Sequence, residues 1–304
     1  MTIARAPGKL VLSGSYSVLW GAPALVAAVD RYAVADSNRP PVHVAEEVEA
    51  AVRLGMVERP VFVDASALRT PEPDGGSRKI GLGSSAAILL ATLVACRGAP
   101  KNAGERQALF EAALRAHREA QGGGSGIDVA ASTFGGVLRF LREGDLPRVT
   151  PQKLPDGVVI TVFACDAPAV TASFIARVRD LAARAPSSFD PIMARARAGA
   201  ITCADAADAA AFLTGLREQR RALFDLGRAA EVPIFTAEVA QLAELADNDG
   251  SVFLPSGAGG GDIAFHAGTS APSAAFQREA LERGLLPLAL SLGAPGACVV
   301  EPGA

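Results

Sequence analysis

Residues 79–91 read KIGLGSSAAILLA: two glycines one residue apart, two serines, then an unbroken apolar run. A chain carrying this segment has to turn tightly into a buried helix. Glycine enters the left-handed backbone region freely, and the run beyond it has no polar face. The helix is expected over residues 84–96, with Ser84 and Ser85 suited to cap it. Backbone N–H groups left accessible by glycines, together with the partial positive charge of a helix N-terminus, form an anion cradle. Gly81, Leu82, Gly83, Ser84, Ser85 and Ala86 are therefore candidates to hold phosphate oxygens. The segment is not a Walker A loop, since no Gly-Lys-Ser/Thr ends it. It also lacks the third glycine of a dinucleotide fingerprint. An ordinary turn into a core helix is the competing reading.

Three further segments carry candidate chemistry. In ARAPGKLVLSGSYSVLWGAPAL (4–25), Lys9 follows Pro7-Gly8, a turn pair that would aim the lysine out of a strand start toward a phosphoryl oxygen. A solvated surface lysine is the alternative. In AHREAQGGGSGIDVAASTFGG (116–136), Asp128 falls just inside a short helix after a glycine-serine loop, where the helix dipole keeps a carboxylate ionised. Such a group near a lysine suits orienting or deprotonating an acceptor that attacks a γ-phosphate; a first-turn structural aspartate is the alternative. In PSGAGGGDIAF (255–265), four glycines in five positions beside a strand suit close approach to a ligand or another loop, or a plain surface loop.

The elements between these segments follow an α+β order. Strands are expected at 10–12, 24–34, 61–63, 137–141 and 158–163, a loop at 70–77, and helices at 84–96, 104–121 and from about 125. A helical stretch over 173–247 is interrupted at Pro186, Pro191 and Pro233. Strands then follow at 251–254, 263–266, 287–291 and 298–300, with a helix at 274–283. No repeat or long linker is visible. A division into lobes 1–160 and 161–304 is expected, meeting at one site. Aromatics are 5% of the chain, so the core must rely on Ala, Val, Leu and Ile. The formal net charge of −3 and the absence of a basic run exclude a nucleic-acid face. Cys96, Cys165, Cys203 and Cys298 are too widely spaced for a metal or disulfide framework, and reduced thiols are expected. The longest apolar stretch is about half of a bilayer span. A cytoplasmic protein with no signal peptide or membrane partner is therefore expected.

Taken together, APGKL, GLGSSAA and SGAGGGD resemble the three signature motifs of the GHMP kinases, over residues 4–265. The resemblance implies a two-lobed fold, with a ribosomal-protein-S5-like N-terminal lobe and a ferredoxin-like C-terminal lobe, and ATP and Mg2+ as cofactors. It implies that residues 81–86 wrap the ATP phosphates and that Lys9 contacts the acceptor or the transferring phosphoryl group. Asp128 matches the catalytic aspartate, and Gly259, Gly260 and Gly261 would support the site from the second lobe. Two positions depart from the pattern. Ser15 stands where many relatives carry a glutamate, and His117 stands where mevalonate kinases carry a metal-binding glutamate, eleven residues before the aspartate. Ser85 is left as the plausible protein contact to the metal, which phosphates and water would otherwise hold. His117 is either a satisfied core histidine or a partner of Asp128.

Finer features are similar to the phosphomevalonate kinase branch: Asp262 closing the glycine loop, and the histidine and glutamine ahead of Gly122–Gly124. The implied reaction is ATP-dependent phosphorylation of 5-phosphomevalonate to the diphosphate, by a monomer or homodimer. Ser173, at a helix start, would donate to the acceptor's phosphate, with Lys9 and Arg78 or Lys79 supplying charge. Mevalonate kinase, another GHMP small-molecule kinase, the related decarboxylase and a catalytically silent binding protein remain as alternatives.

Overall fold

The computed structural model describes residues 2–71, 77–165 and 171–300. Its chain order is β1 (Ile3–Ser13), β2 (Ala24–Asp36), α1 (Glu46–Arg53), β3 (Phe62–Asp64), β4 (Arg69–Pro71), β5 (Ser77–Lys79), α2 (Ser84–Arg97), α3 (Ala103–Gln121), α4 (Ile127–Phe134), β6 (Val137–Leu141) and β7 (Arg148–Pro151). Then come β8 (Val159–Ala164), α5 (Thr171–Arg184), α6 (Pro186–Ala204), α7 (Ala209–Ala230), α8 (Ala237–Asn248), β9 (Val252–Pro255), β10 (Ile263–Gly268), α9 (Ala274–Glu282), β11 (Leu286–Leu288) and β12 (Cys298–Val299). The fold is a two-lobed α+β arrangement. One antiparallel sheet runs β12-β1-β2-β6-β7 with β3 also on β2, and a second runs β11-β8-β10-β9. The last strand thus returns to the first sheet, pairing Ala4 with Val299 and Arg5 with Cys298.

α2 is apolar on nearly every side and is correspondingly enclosed: Ala86, Ala87, Leu89, Leu90, Leu93 and Val94 are all fully buried. It lies between the first sheet and the other N-terminal helices. The main core it belongs to runs on without a break into Phe212 and Leu216 of α7 and Leu254 and Phe265 of the second sheet. As expected, that core is mostly Ala, Val and Leu. Behind the second sheet a smaller core is built on aromatics, where Phe163, Phe253 and Phe276 meet edge-on at centroid distances of 5.2–5.8 Å.

Several sequence expectations change. The loop expected at 70–77 is flanked by the β4–β5 ladder, Arg69 opposite Lys79; residues 72–76 lie outside the described residues. α1, a short amphipathic helix that buries Val48, Ala50 and Ala51, and β7, a short and mostly exposed strand, are not among the expected elements. The break expected at Pro186 falls between α5 and α6, with Pro186 starting α6 where no amide hydrogen is required, but Pro191 makes no break and α6 continues through it. The expected 287–291 strand is β11, shifted toward residue 286 by its register with β8. Among the described residues no helix is long and apolar enough to cross a membrane.

Candidate active site

Pro7-Gly8 does not form a turn. Both residues lie inside β1, at a slip in register: Pro7 faces Tyr32 while Gly8 faces Val29, leaving Asp30 and Arg31 as extra residues on β2. A bulge of this kind re-aims the side chains beside it. Gly8 is required for another reason as well, since a Cβ there would sit 2.7 Å from both Leu68 Cδ2 and the Leu82 carbonyl. The glycine-serine loop therefore presses directly on the strand. Lys9 N–H donates to Leu82 O at 2.8 Å, and Lys9 Nζ donates to Gly81 O at 2.8 Å. Burial pulls the Lys9 pKa below its ordinary value despite the attraction of Asp128 and Asp262.

Gly81 and Gly83 both adopt left-handed backbone, φ 79° and 74°. Gly83 is the residue at the start of α2, and no side chain caps the helix. Ser84 and Ser85 are thus first-turn residues and not caps. A side-chain cap needs an extended residue ahead of the helix, and Gly83 has replaced it with a left-handed one. The first N–H groups of α2 are left to whatever enters the cleft. Leu82 and Ala86 point their side chains into the core, so they offer the cleft only backbone. Ser85 is half-buried, with its Oγ 3.4 Å from Lys79 Nζ.

α4 begins in the same way. Gly126 is left-handed, φ 81°, no side chain caps the helix, and Asp128 lies in its first turn. A Cβ on Gly83 would approach Lys9 Cγ to 2.9 Å and Asp128 Cβ to 3.5 Å, so the loop threads between the two. Asp128 Oδ1 accepts from Val129 N–H at 2.9 Å, and Oδ2 lies 3.2 Å from His117 Nε2. Burial works against ionisation of Asp128. The His117 imidazole, Lys9 and the Val129 amide outweigh it and hold the carboxyl well below the usual range. His117 is itself buried. Burial opposes its charge, but Asp128 and then Glu47 overcome this and raise its pKa above 6.5. The two readings of His117 left open by the sequence therefore combine: it is a core residue and the partner of Asp128.

The second lobe closes the site through its glycine loop. Ser256 Oγ accepts from Val11 N–H at 2.9 Å, and Tyr16 OH donates to Ala258 O at 2.7 Å. Gly260 N–H donates to Ile234 O at 3.1 Å, and a Cβ on Gly259 would run into that same carbonyl. Gly259 lines the cleft, while Gly260 anchors the loop behind it. Asp262 packs over Gly81, whose missing Cβ would lie 2.7 Å from Asp262 Cβ. Gln219 of α7 accepts from Gly14 N–H at 2.6 Å, tying the Ser13–Tyr16 turn to the helical layer.

The cleft between these parts measures about 800 Å³, within the range of small-molecule sites. Lys9, Gly81, Gly83, Ser84, Ser85 and Asp128 all line it. Ser173 does not: it is exposed on α5, whose cleft-facing side carries Ile175, Ala176 and Arg179. Arg179 and the Tyr16 and Gln219 anchors escaped sequence reasoning, because helical facing and long-range contacts decide them. Among the described residues no group of three or more His, Cys, Asp or Glu is arranged around a metal position. His117 already donates to Asp128, so the donor set fits Mg2+ carried mainly by nucleotide phosphates and water, with Ser85 as the protein oxygen at hand.

Residues 73–136 match the family described as GHMP kinases N terminal domain. The chain is 30% identical to the phosphomevalonate kinase of Streptomyces sp. (strain CL190), over 86% of this chain and 88% of that protein. It is also 30% identical to the mevalonate kinase of Archaeoglobus fulgidus, over 62% and 67%. Its fold is similar to that of the Streptococcus pneumoniae phosphomevalonate kinase in complex with phosphomevalonate and AMPPNP, with a TM-score of 0.76, 16% identity, and 96% and 100% of the two chains covered. The two-lobed fold with two glycine-opened helices facing one cleft accords with these relatives, which are kinases. The chain belongs to the GHMP kinase family. It is accordingly a phosphotransferase.

Proposed function

We propose that this kinase transfers the γ-phosphoryl group of ATP to 5-phosphomevalonate, forming 5-diphosphomevalonate in the mevalonate route to isoprenoids. The observation that carries the reading is the charge balance of the cleft. Lys9, Arg78, Lys79 and Arg179 line it against the carboxylates of Asp128 and Asp262. 5-Phosphomevalonate carries a phosphate in addition to the carboxylate it shares with mevalonate, and so draws more on that cationic surplus. The extent of similarity to the Streptomyces phosphomevalonate kinase supports it.

In this reading the backbone of Gly81–Ala86 and the open start of α2 hold the ATP phosphates. Lys9, pinned to the same loop, stabilises charge on the transferring group. Asp128 orients the acceptor, and Gly259 and Gly260 shape the wall opposite. Arg179, not Ser173, supplies the contact from α5, because the serine lies off the cleft-facing side of that helix. Mg2+, when bound, neutralises charge on the phosphate oxygens, with Ser85 as its protein contact. The lobe division at 1–160 and 161–304, and a monomer or homodimer, complete the reading.

An ADP-release assay with mevalonate, 5-phosphomevalonate, homoserine and galactose tests it. Turnover should be strong with 5-phosphomevalonate and poor with the others. The archaeal mevalonate kinase relatives favour a second reading, in which mevalonate is the acceptor. Efficient turnover of mevalonate with none of the phosphate ester would establish that reading instead.

A further inference from the structure

His117 sits near the end of α3, on the buried stripe formed with Phe110, Ala113, Leu114 and Ala116. The glycines after Gln121 reverse the chain, so that α4 presents Asp128 to this ring. The Nε2 contact to Asp128 is the ring's single polar contact among the described residues, because Nδ1 is buried without a partner. The charged groups around the ring come from three helices: Glu47 of α1, Arg118 of α3 and Asp128 of α4, with Lys9 of β1 beyond the aspartate. Glu47 is itself buried and accepts from Gln121 Nε2 at 2.5 Å, one helical turn from His117.

We propose that His117 is the positioning residue of Asp128: its Nε2–H holds Oδ2 while the Val129 N–H holds Oδ1, so the carboxylate serves the reaction as a fixed charge and not as a proton acceptor. Both oxygens are engaged at 2.9 and 3.2 Å, which fixes the rotamer as well as the charge. A general base works best with a pKa near the working pH, and this carboxyl is held far below it.

The consequence deepens the proposed function and rests on it. A hydroxyl acceptor has to lose a proton during transfer, and Asp128, with each oxygen already accepting a hydrogen bond and its carboxyl held far below the working pH, is a poor group to take it. A phosphate monoester has a second pKa of about 6 and brings its own oxyanion. That oxygen forms the new bond to the γ-phosphorus, the bond from the γ-phosphorus to the β,γ-bridging oxygen breaks, and ADP leaves with the electron pair. No proton leaves the acceptor. The acceptor class is thus a phosphate monoester in its dianionic form.

Two measurements on the full chain test this. The first needs no substrate: the His117 ring is titrated by nitrogen-15 NMR in the wild type and in Asp128→Asn. His117 should titrate above 6.5 in the wild type and move down when Asp128 loses its charge. A wild-type value at or below 6.5, or one that ignores Asp128→Asn, would overturn the ion pair even if 5-phosphomevalonate is turned over. The second is the pH profile of kcat/KM. With the phosphate ester it should rise through about pH 6 and fall as His117 loses its proton. His117→Gln should lower kcat about ten- to a hundredfold, leave the KM for ATP unchanged, and displace the alkaline fall to higher pH. Should His117→Gln fail to fold, the titration decides alone. His117 titrating high while mevalonate's hydroxyl is the group phosphorylated would show that Asp128 takes a proton after all, and would overturn the proposal together with the acceptor assignment.

Discussion

Lys9 and Asp128 reach the cleft from a bulged strand and a glycine-opened helix, and both are held by backbone as well as by charge. Asp128→Asn keeps the volume and removes the charge. It should retain nucleotide binding by calorimetry while kcat falls about a hundred- to a thousandfold, because the fixed charge that orients the acceptor is lost. Lys9→Met should behave alike, through lost stabilisation of the transferring group. Near-normal kcat in both variants would remove them from the machinery. The His117–Asp128 pair also makes a stability prediction. The raised pKa of His117 means that its contribution is complete below 6.5 and is lost as pH rises through the higher folded value. The lowered pKa of Asp128 means that its contribution is present above 3.8 and is lost only as pH falls through the lower folded value. The Tm gap between wild type and His117→Gln should therefore be widest between 3.8 and 6.5 and narrow at higher pH. A gap that does not change with pH would contradict the pairing. Both residues of the candidate pair Lys9 and Asp128 were legible in the sequence because motifs carry them. Arg179 was not, since it depends on which helix face turns inward, and the His117–Asp128 contact stood only as one of two readings, since it depends on where a glycine turn sends the chain.

The elements that matter most are the two helices started by left-handed glycines. Gly83→Val would place a β-branched side chain in left-handed backbone and against Lys9 Cγ at 2.9 Å. The strain costs about 1–2 kcal/mol, so the protein should fold with a lower Tm and lose nucleotide affinity. A folded variant with unchanged affinity would reduce the loop to a simple turn. The Tyr16–Ala258 hydrogen bond makes a milder test of the opposite wall. Tyr16→Phe removes one bond between the lobes, and the expected loss is about 0.5–1.5 kcal/mol in denaturant unfolding. Helices such as α2 were readable from their apolar runs, but their capping was not. Serine favours the cap position in general, and here packing of Gly83 between Lys9 and Asp128 forces a glycine into it. The Pro7-Gly8 pair misled for a related reason: its turn chemistry is overridden by pairing with β2 on both sides of the slip.

At the scale of the whole molecule, the end of the chain belongs to its beginning. β12 pairs with β1, Ala297 N–H donates to Ser132 O at 2.9 Å, and Gly296 fits against the Thr133 carbonyl closely enough to exclude a side chain. Removing residues 296–304 should therefore loosen β1 and α4, and with them Lys9 and Asp128, seen as faster amide exchange in both elements. Unaltered protection there would separate the tail from the site. The sequence alone pointed to two lobes and a shared cleft through the spacing of its glycine segments. The return of the tail and the continuous core depend on pairings some 300 residues apart, beyond any local pattern. The central claim is that a cleft with surplus cations and an ion-paired aspartate phosphorylates a phosphate. Phosphorus-31 NMR of the products from ATP and 5-phosphomevalonate tests it most directly. The account predicts loss of the monoester signal and growth of the two coupled resonances of a diphosphate, one equivalent for each ADP formed. ADP formed with the monoester signal intact, or a new monoester appearing when mevalonate alone is supplied, would contradict it.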